Sequence, residues 1–401
     1  MTPAARVQAA VELLDEIRDG APAGRALVAW GRRARYAGSG DRAAVRDLVY
    51  DALRRWRSYA ALGGSETGRG LMIGRLRATG TPPDRLFDGG RHAPAPLTDA
   101  ERASGRAPRD AEAVDLPDWL WAAFRRNFGA GAAGIALALR ERAPVHLRVN
   151  LGAASRADAA EALASEGIRT RPGRAAGTAL EVIEDARRVA GSAAYRAGVV
   201  ELQDAASQAV VEALPLSPGT RALDFCAGGG GKALAMAART GGEVCVHDAD
   251  PRRMADLPAR AVRAGAQLRT LDTPETAGPF DLVLCDVPCS GSGAWRRDPA
   301  GKWRLAPADL AALTREQDAI LDRASALVAP RGMLAYATCS VLAEENAARI
   351  EAFRARHPGW TCRRERQWLP GDDGDGFFLA MLTRNDAKVR STPGRGLLSA
   401  V

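Results

Sequence analysis

The sequence predicts an α/β protein, a doubly wound parallel sheet preceded by a small α/β module and an N-terminal helical region. Three observations carry this. From Val200 onward strand-like runs alternate with glycine turns and helical segments, a rhythm that builds parallel sheets with ligands at the carboxyl ends of the strands. Between residues 143 and 199 the alternating run VHLRVNL, the helix-like RADAAEALASEG and the strand candidate ALEVI make a smaller unit. From Ala5 to about Ala61 the apolar residues, Val7, Val11, Leu14 and then Val45, Leu48, Leu53, recur at helical spacing and suggest a small bundle.

In chain order, the bundle gives way at residues 62–112 to stretches dominated by Gly, Pro and Arg. These predict mostly loop, with one helical island around Leu71 to Leu76. Helical pattern resumes with LPDWLWAAFRRNF, where Pro117 and Asp118 mark a start, and runs to about Arg142. Beyond the small module come the strand candidates RALDFC, GGEVCVHD, LRTLD, FDLVLCD and GMLAYAT. The expected divisions are thus 1–142, 143–199, 200–385 and a short, basic, mobile tail at 386–401.

With 46% hydrophobic and 26% charged residues over 401 positions, the chain has the material for sizeable cores, which excludes a largely disordered or fibrous protein. The longest uncharged stretch, Asn127 to Leu139, falls short of the ~18 to 20 residues a membrane span needs, and no secretory signal opens the chain. A cytoplasmic location without membrane attachment is expected. The net charge of +8 is uneven: residues 1–110 carry 19 Arg against 13 acidic residues, the remainder 37 basic against 35. Arg25, Arg32, Arg33, Arg35, Arg42, Arg46, Arg54, Arg55 and Arg57 face only Asp41, Asp47 and Asp51, a patch suited to a polyanion, although a solvated face in an arginine-rich chain reads equally well. The six cysteines form no CxxC pair and the four histidines are scattered, so neither a disulfide framework nor a metal site is expected.

LDFCAGGGGKA places Gly228 to Gly231 between a strand and a helix, where bare backbone can approach a ligand. It is not a phosphate-binding Walker loop, because Cys226 stands where that motif needs glycine and Ala233 where it needs Ser or Thr. With Asp248 at the end of the next strand, suited to a ribose hydroxyl, the loop fits NAD or S-adenosylmethionine. Two later strand ends, DVPCSGSG and YATCSV, each deliver a cysteine beside a serine; if those strands are neighbours, Cys289 and Cys339 share one cleft. Cys226, Cys245, Cys285 and Cys362 read as buried apolar side chains.

Together, LRVN, VELQDAASQAV, DFCAGGGGK, the acidic strand end at Asp248, Asp272, DVPCSGSGAWRRDP, YATCSVLAEEN and DGFF resemble the Sun (NOP/Sun) family of RNA cytosine-5 methyltransferases, in particular its bacterial RsmB-type members. The resemblance covers nearly the whole chain. It implies a Rossmann-like methyltransferase domain and an N-terminal helical domain similar to the NusB-like RNA-binding domain of that subgroup. It implies that S-adenosylmethionine is held by Cys226, Ala227, Gly228, Gly229, Gly230, Gly231, Lys232, Asp248, Asp272 and Asp286. It further implies Cys339 as the nucleophile that adds to cytosine C6, Cys289 as the residue that assists release, and Asp286 as the carboxylate at the N3/N4 edge of the base. Small-subunit ribosomal RNA is the expected partner, with transfer RNA open, and the protein is expected to be a monomer. The family loop reads CAAPGGKT, whereas Gly228, Gly229 and Ala233 replace Ala, Pro and Thr here, so weaker cofactor binding is expected from the added backbone freedom. Two other readings remain, a non-catalytic RNA-binding or ribosome-assembly factor and an NAD-dependent oxidoreductase.

Overall fold

The computed structural model describes residues 1–371 and 373–385, and the tail expected at 386–401 lies outside the described residues. The chain divides into two units, 1–142 with 295–305, and 143–294 with the residues from 306 onward. The short return of 295–305 to the first unit interrupts the stretch 200–385 that the strand rhythm suggests as one domain.

In the first unit, helices α1 (Pro3–Arg18), α2 (Ala23–Arg33), α3 (Ser39–Arg54), α4 (Trp56–Gly63) and α5 (Gly68–Ala78) form the bundle. Thr2 caps α1 by accepting from the Ala5 amide at 3.1 Å, and Pro3 occupies the first turn, where its missing N–H costs nothing. Leu13 and Leu14 of α1, Val45, Val49 and Leu53 of α3, and Leu71 and Ile73 of α5 fill one core. The stretch 62–112 therefore departs from a plain loop. Its glycines serve close helix packing: a Cβ at Gly63 would lie 1.8 Å from the Gly70 carbonyl oxygen, so α4 and α5 meet backbone to backbone. The irregular chain beyond α5 is held by guanidinium donors, with Arg77 donating to the carbonyls of Leu62, Ser104 and Glu101. The helical pattern after Pro117 is broken in two, Asp118–Phe128 and Ala132–Ala138, at Gly129, whose φ is +51°.

Residues 295–305 complete this unit by closing the end of α3. Lys302 Nζ donates to the Arg54 carbonyl at 3.0 Å, Trp303 Nε1 to that of Leu53 at 2.7 Å, and Arg54 Nη2 to the carbonyl of Arg296 at 2.9 Å. Donors at a helix C-terminus satisfy carbonyls that lack a partner within the helix. Burial pushes the Lys302 ammonium down to about 7 against the pull of Asp115.

The second unit holds two sheets. The smaller is antiparallel, built from β1 (Val145–Val149), β2 (Thr170–Pro172), β3 (Ala179–Val182) and β4 (Val200–Leu202) in the order β2-β3-β1-β4. Val200 thus closes the small module, three residues later than its expected end, because Val200 and Leu202 pair with Val149 and Leu147 of β1. A helix over Arg156–Ser165, capped by Ser155, lays Ala159 and Leu163 on this sheet.

The larger sheet comprises β5 (Ala222–Asp224), β6 (Val244–Val246), β7 (Leu268–Thr270), β8 (Phe280–Asp286), β9 (Val328–Thr338), β10 (Trp360–Trp368) and β11 (Phe377–Arg384), in the order β10-β11-β9-β8-β5-β6-β7. The five strands from β9 to β7 are parallel, as expected. The last two form an antiparallel hairpin, so the sheet is mixed and not wholly parallel. From β5 the chain winds outward through β6 and β7, then returns to β8 on the other side of β5. The order reverses between β5 and β8, and it is outside the carboxyl ends of strands at such a point that open α/β sheets bind ligands. Among the described residues, no helix is long and apolar enough to cross a membrane.

Candidate active site

Three loops meet at that reversal. After β5, the Phe225 amide bonds to Leu284 O and the Ala227 amide to His247 O, which carries the glycine loop over the sheet edge. Gly228 and Gly230 adopt φ of +51° and +76°, and a Cβ at Gly230 would lie 2.1 Å from Leu257 Cδ1, so both conformation and space demand glycine there. The helix Gly231–Thr240 follows at once. Asp248, just beyond β6 and 5% exposed, accepts from the Gly228 amide at 2.8 Å and the Asp250 amide at 2.9 Å, and pairs with Arg253 at 3.2 Å. Asp272 stands beyond β7 with its side chain exposed, and no interaction joins it to the other predicted residues.

Buried charge concentrates beneath the loop. Lys232 Nζ donates to Asp286 Oδ2 at 2.6 Å and lies 5.0 Å from the centroid of the Phe377 ring. Burial opposes the ammonium, yet Asp286 and Asp224 outweigh it and hold the Lys232 pKa above its ordinary value. Asp224, at the end of β5, is pushed up to about 7, by burial first and then by repulsion from Asp286. Its Oδ1 has no hydrogen-bond partner. A buried orphan carboxylate oxygen under a glycine loop is a seat for a cationic or N–H-bearing ligand.

This orphan has a measurable consequence. Between pH 3.8 and about 7 the folded protein keeps on Asp224 a proton that the unfolded chain has already lost, so this residue lowers stability as pH rises through that window. Asp224→Asn is expected to gain stability over the parent by a few kcal/mol at pH 8, at ~1.4 kcal/mol per pH unit, and much less at pH 4. Urea midpoints at the two pH values check it; an equal difference at both would refute the assignment.

The two strand-end cysteines converge. Because β8 and β9 pair in parallel, with Asp286 opposite Ala337 and the Val287 amide on Ala337 O, Cys289 Sγ and Cys339 Sγ stand 3.3 Å apart, both half-buried and unbonded. The contact with Cys339, followed by burial, raises the Cys289 thiol well above its usual range. Burial also raises Cys226 and Cys285, which keeps those thiols protonated and inert.

Sequence reasoning missed the residue that holds the two cysteine loops together. Glu345, wholly buried, accepts from the Ser290 amide at 2.8 Å and from Ser290 Oγ, Ser340 Oγ and Gln317 Nε2. The serines following Cys289 and Cys339 are thus tied to one carboxylate. Ser292 Oγ lies 2.8 Å from Ser340 Oγ, and the Gly293 amide bonds to Cys339 O. The only hint was the acidic pair in VLAEEN, which one chain cannot distinguish from a solvated turn. Arg148 of LRVN was likewise unassigned: it is buried and donates to Gly231 O at 2.5 Å, bracing the loop from the small sheet.

Residues 211–383 match the family model described as 16S rRNA methyltransferase RsmB/F, and residues 116–189 the ferredoxin-like domain of RsmF/B-like methyltransferases. Ribosomal RNA small subunit methyltransferase B of Xanthomonas campestris pv. campestris is 33% identical over 305 residues, 69% of this chain and 68% of that protein. The protein of the same description from Yersinia pestis bv. Antiqua is 33% identical over 284 residues, 67% of this chain and 66% of its own. The chain thus spans about two thirds of the length of these curated relatives. Among solved structures, one described as PH0851 superposes with a TM-score of 0.74 at 21% identity, covering 96% of this chain and 99% of that one. A methyltransferase homolog protein from Pyrococcus horikoshii gives a TM-score of 0.61 at 21% identity, over 69% and 97%. At that identity the two structures speak for the fold.

Proposed function

The chain belongs to the RsmB/F family of 16S rRNA methyltransferases, and from that premise we propose that it methylates C5 of a cytosine in small-subunit ribosomal RNA, using S-adenosylmethionine and a covalent adduct between Cys339 and C6 of the base. The observation that carries the reading is the 3.3 Å approach of the Cys289 and Cys339 sulfurs beside the Lys232–Asp286 pair. Paired thiols at this point have no role in hydride transfer to a nicotinamide.

The residues present fit the cofactor. Asp224 offers a buried carboxylate with an unpartnered oxygen, Asp248 a carboxylate for ribose hydroxyls in competition with the half-exposed Arg253, and Gly228 to Gly231 a backbone without side chains. When bound, S-adenosylmethionine supplies an electrophilic methyl group. Asp272 belongs to this set by family resemblance alone.

Cytosine C5 is a poor nucleophile until a thiolate adds to C6. In the proposed sequence Cys339 makes that bond, the C5=C6 electron pair moves toward N3, and Asp286 stabilises the base at its N3/N4 edge. Lys232 is the cation nearest this chemistry, and Cys339 is among the groups that favour its ammonium form. After C5 is methylated, its proton leaves, the C5–H pair re-forms C5=C6, and the Cys339 sulfur departs. Cys289 assists at this stage. While the two sulfurs are in contact Cys339 keeps the Cys289 proton in place; once Cys339 is bonded to carbon that constraint is gone and Cys289 can ionise.

Cys289→Ala should therefore attack and methylate but stall as a protein–RNA adduct, seen as a shifted band on denaturing gels with labelled RNA. A trapped adduct for Cys339→Ala, with none for Cys289→Ala, would reverse the two roles. Bisulfite sequencing of ribosomal and transfer RNA from a deletion strain tests the substrate; transfer RNA losing the mark instead would move it.

A further inference from the structure

Within the first unit, a cleft of about 700 Å³ is lined by Arg6, Arg46, Arg54, Arg75, Arg142 and Arg297, with Asp47 and Asp51 as its carboxylates and Leu48, Tyr50 and Leu86 among its apolar residues. The charge is poorly compensated. Arg6 is committed to Asp41 at 2.8 Å and Arg75 to Asp51 at 2.7 Å, and Asp51 is further taken by Arg55 at 2.6 Å. Arg46 meets Asp47 only at 3.8 Å, and Arg142 has no partner among the described residues. Arg54 has no carboxylate at all: its Nη2 donates to a carbonyl, and its Nε is buried without an acceptor. Burial lowers the Arg54 pKa, and Arg142 and Arg55 lower it further by repulsion, with Asp51 only partly opposing. Crowded guanidinium groups with an orphaned buried donor lack an anion.

We propose that this cleft binds the phosphodiester backbone of a single-stranded RNA segment, with Arg46, Arg54 and Arg142 on phosphate oxygens and a base against Tyr50. An extended cation-lined cleft with an aromatic wall suits a strand: each phosphate satisfies guanidinium donors, and a base face covers the tyrosine whatever its identity. The inference rests on RNA being the substrate and deepens that reading by adding a holding site outside the catalytic unit. It relocates the electrostatic footprint seen in the sequence. Of the nine arginines of the N-terminal patch only Arg46 and Arg54 line the cleft, and the others arrive from positions 6, 75, 142 and 297. Arg297 comes from the returning segment, eight residues past Cys289.

The test uses the full chain and the exposed residues Arg46 and Arg142, neither of which ties elements of the bundle together. A 12-nucleotide single-stranded RNA, inorganic phosphate and adenosine monophosphate are titrated at three salt concentrations. Arg46→Gln with Arg142→Gln is expected to weaken RNA binding and to reduce the slope of log K against log[salt] by about 1.4, at ~0.7 per lost phosphate contact. Tyr50→Ala should weaken binding about tenfold with the slope unchanged, as lost stacking does. Unaltered slopes in the double variant overturn the proposal. So does competition by phosphate or the mononucleotide that leaves RNA affinity untouched, since the cleft would then serve a small anion. Binding requires no chemistry, so failure to detect 5-methylcytosine would overturn the proposed reaction without bearing on these slopes.

Discussion

Cys339→Ala is expected to lower methyl transfer by roughly 10⁴-fold or more, because removing the nucleophile removes the covalent route and leaves a base whose C5 cannot attack on its own. Cofactor affinity should stay within about twofold of the parent, since Asp224, Asp248 and the glycine loop make no hydrogen bond to this side chain. Adduct formation should vanish even in the Cys289→Ala background. Steady-state methylation with labelled cofactor, calorimetry and the denaturing gel read the three consequences separately. Substantial turnover by Cys339→Ala would end the proposed mechanism, whereas joint loss of turnover and cofactor binding would signal a collapsed site and call for Cys339→Ser, which keeps the volume of the side chain.

Glu345→Gln is expected to slow adduct formation about 10²-fold, the scale on which an ångström of misplacement costs rate. Glu345 touches neither thiol. It is a positioning residue: by accepting from Ser290 and Ser340 it fixes the backbone next to both cysteines, and Gln317 orients it from behind. An amide of the same shape turns an NH2 group toward four donors, so at least one bond is lost, with a stability cost of about 1 to 3 kcal/mol. The informative readout is the single-turnover rate of adduct formation in the Cys289→Ala background at saturating cofactor. A merely structural role predicts a lower melting temperature with an unchanged rate. Such a result would confine Glu345 to the fold and leave the cysteine loops self-supporting.

Reading position by position, much of the catalytic unit follows from local pattern. The strand candidates ending at Asp224, Asp286 and Thr338 are real strand ends, and the glycine loop does open a helix. Local signals suffice there because a parallel sheet delivers its functional residues at strand ends, where alternation stops and turn residues begin. The errors lie where neighbours in space are strangers in sequence. Residues 62–112 looked like loop because glycine is read as a breaker, but Gly63 and Gly70 let two helices touch. The β10–β11 hairpin was passed over because exposed, charged β10 has the alternation of no buried strand, and its place is set by pairing with β11.

By itself the sequence determined the α/β class, the order of motifs, the family and which cysteines stand at strand ends, all properties carried within windows of about ten residues. Only the tertiary structure decided that Cys289 and Cys339 touch, that Glu345 binds both of their loops, that Asp224 holds an unpartnered oxygen beneath the glycine loop, and that arginines from positions 6 to 297 line one cleft. The physical reason is common to all four. A hydrogen bond, a charge repulsion or a shared cavity depends on distance and burial, and residues some 50 to 290 positions apart acquire both only when the sheet order and helix packing have brought them together.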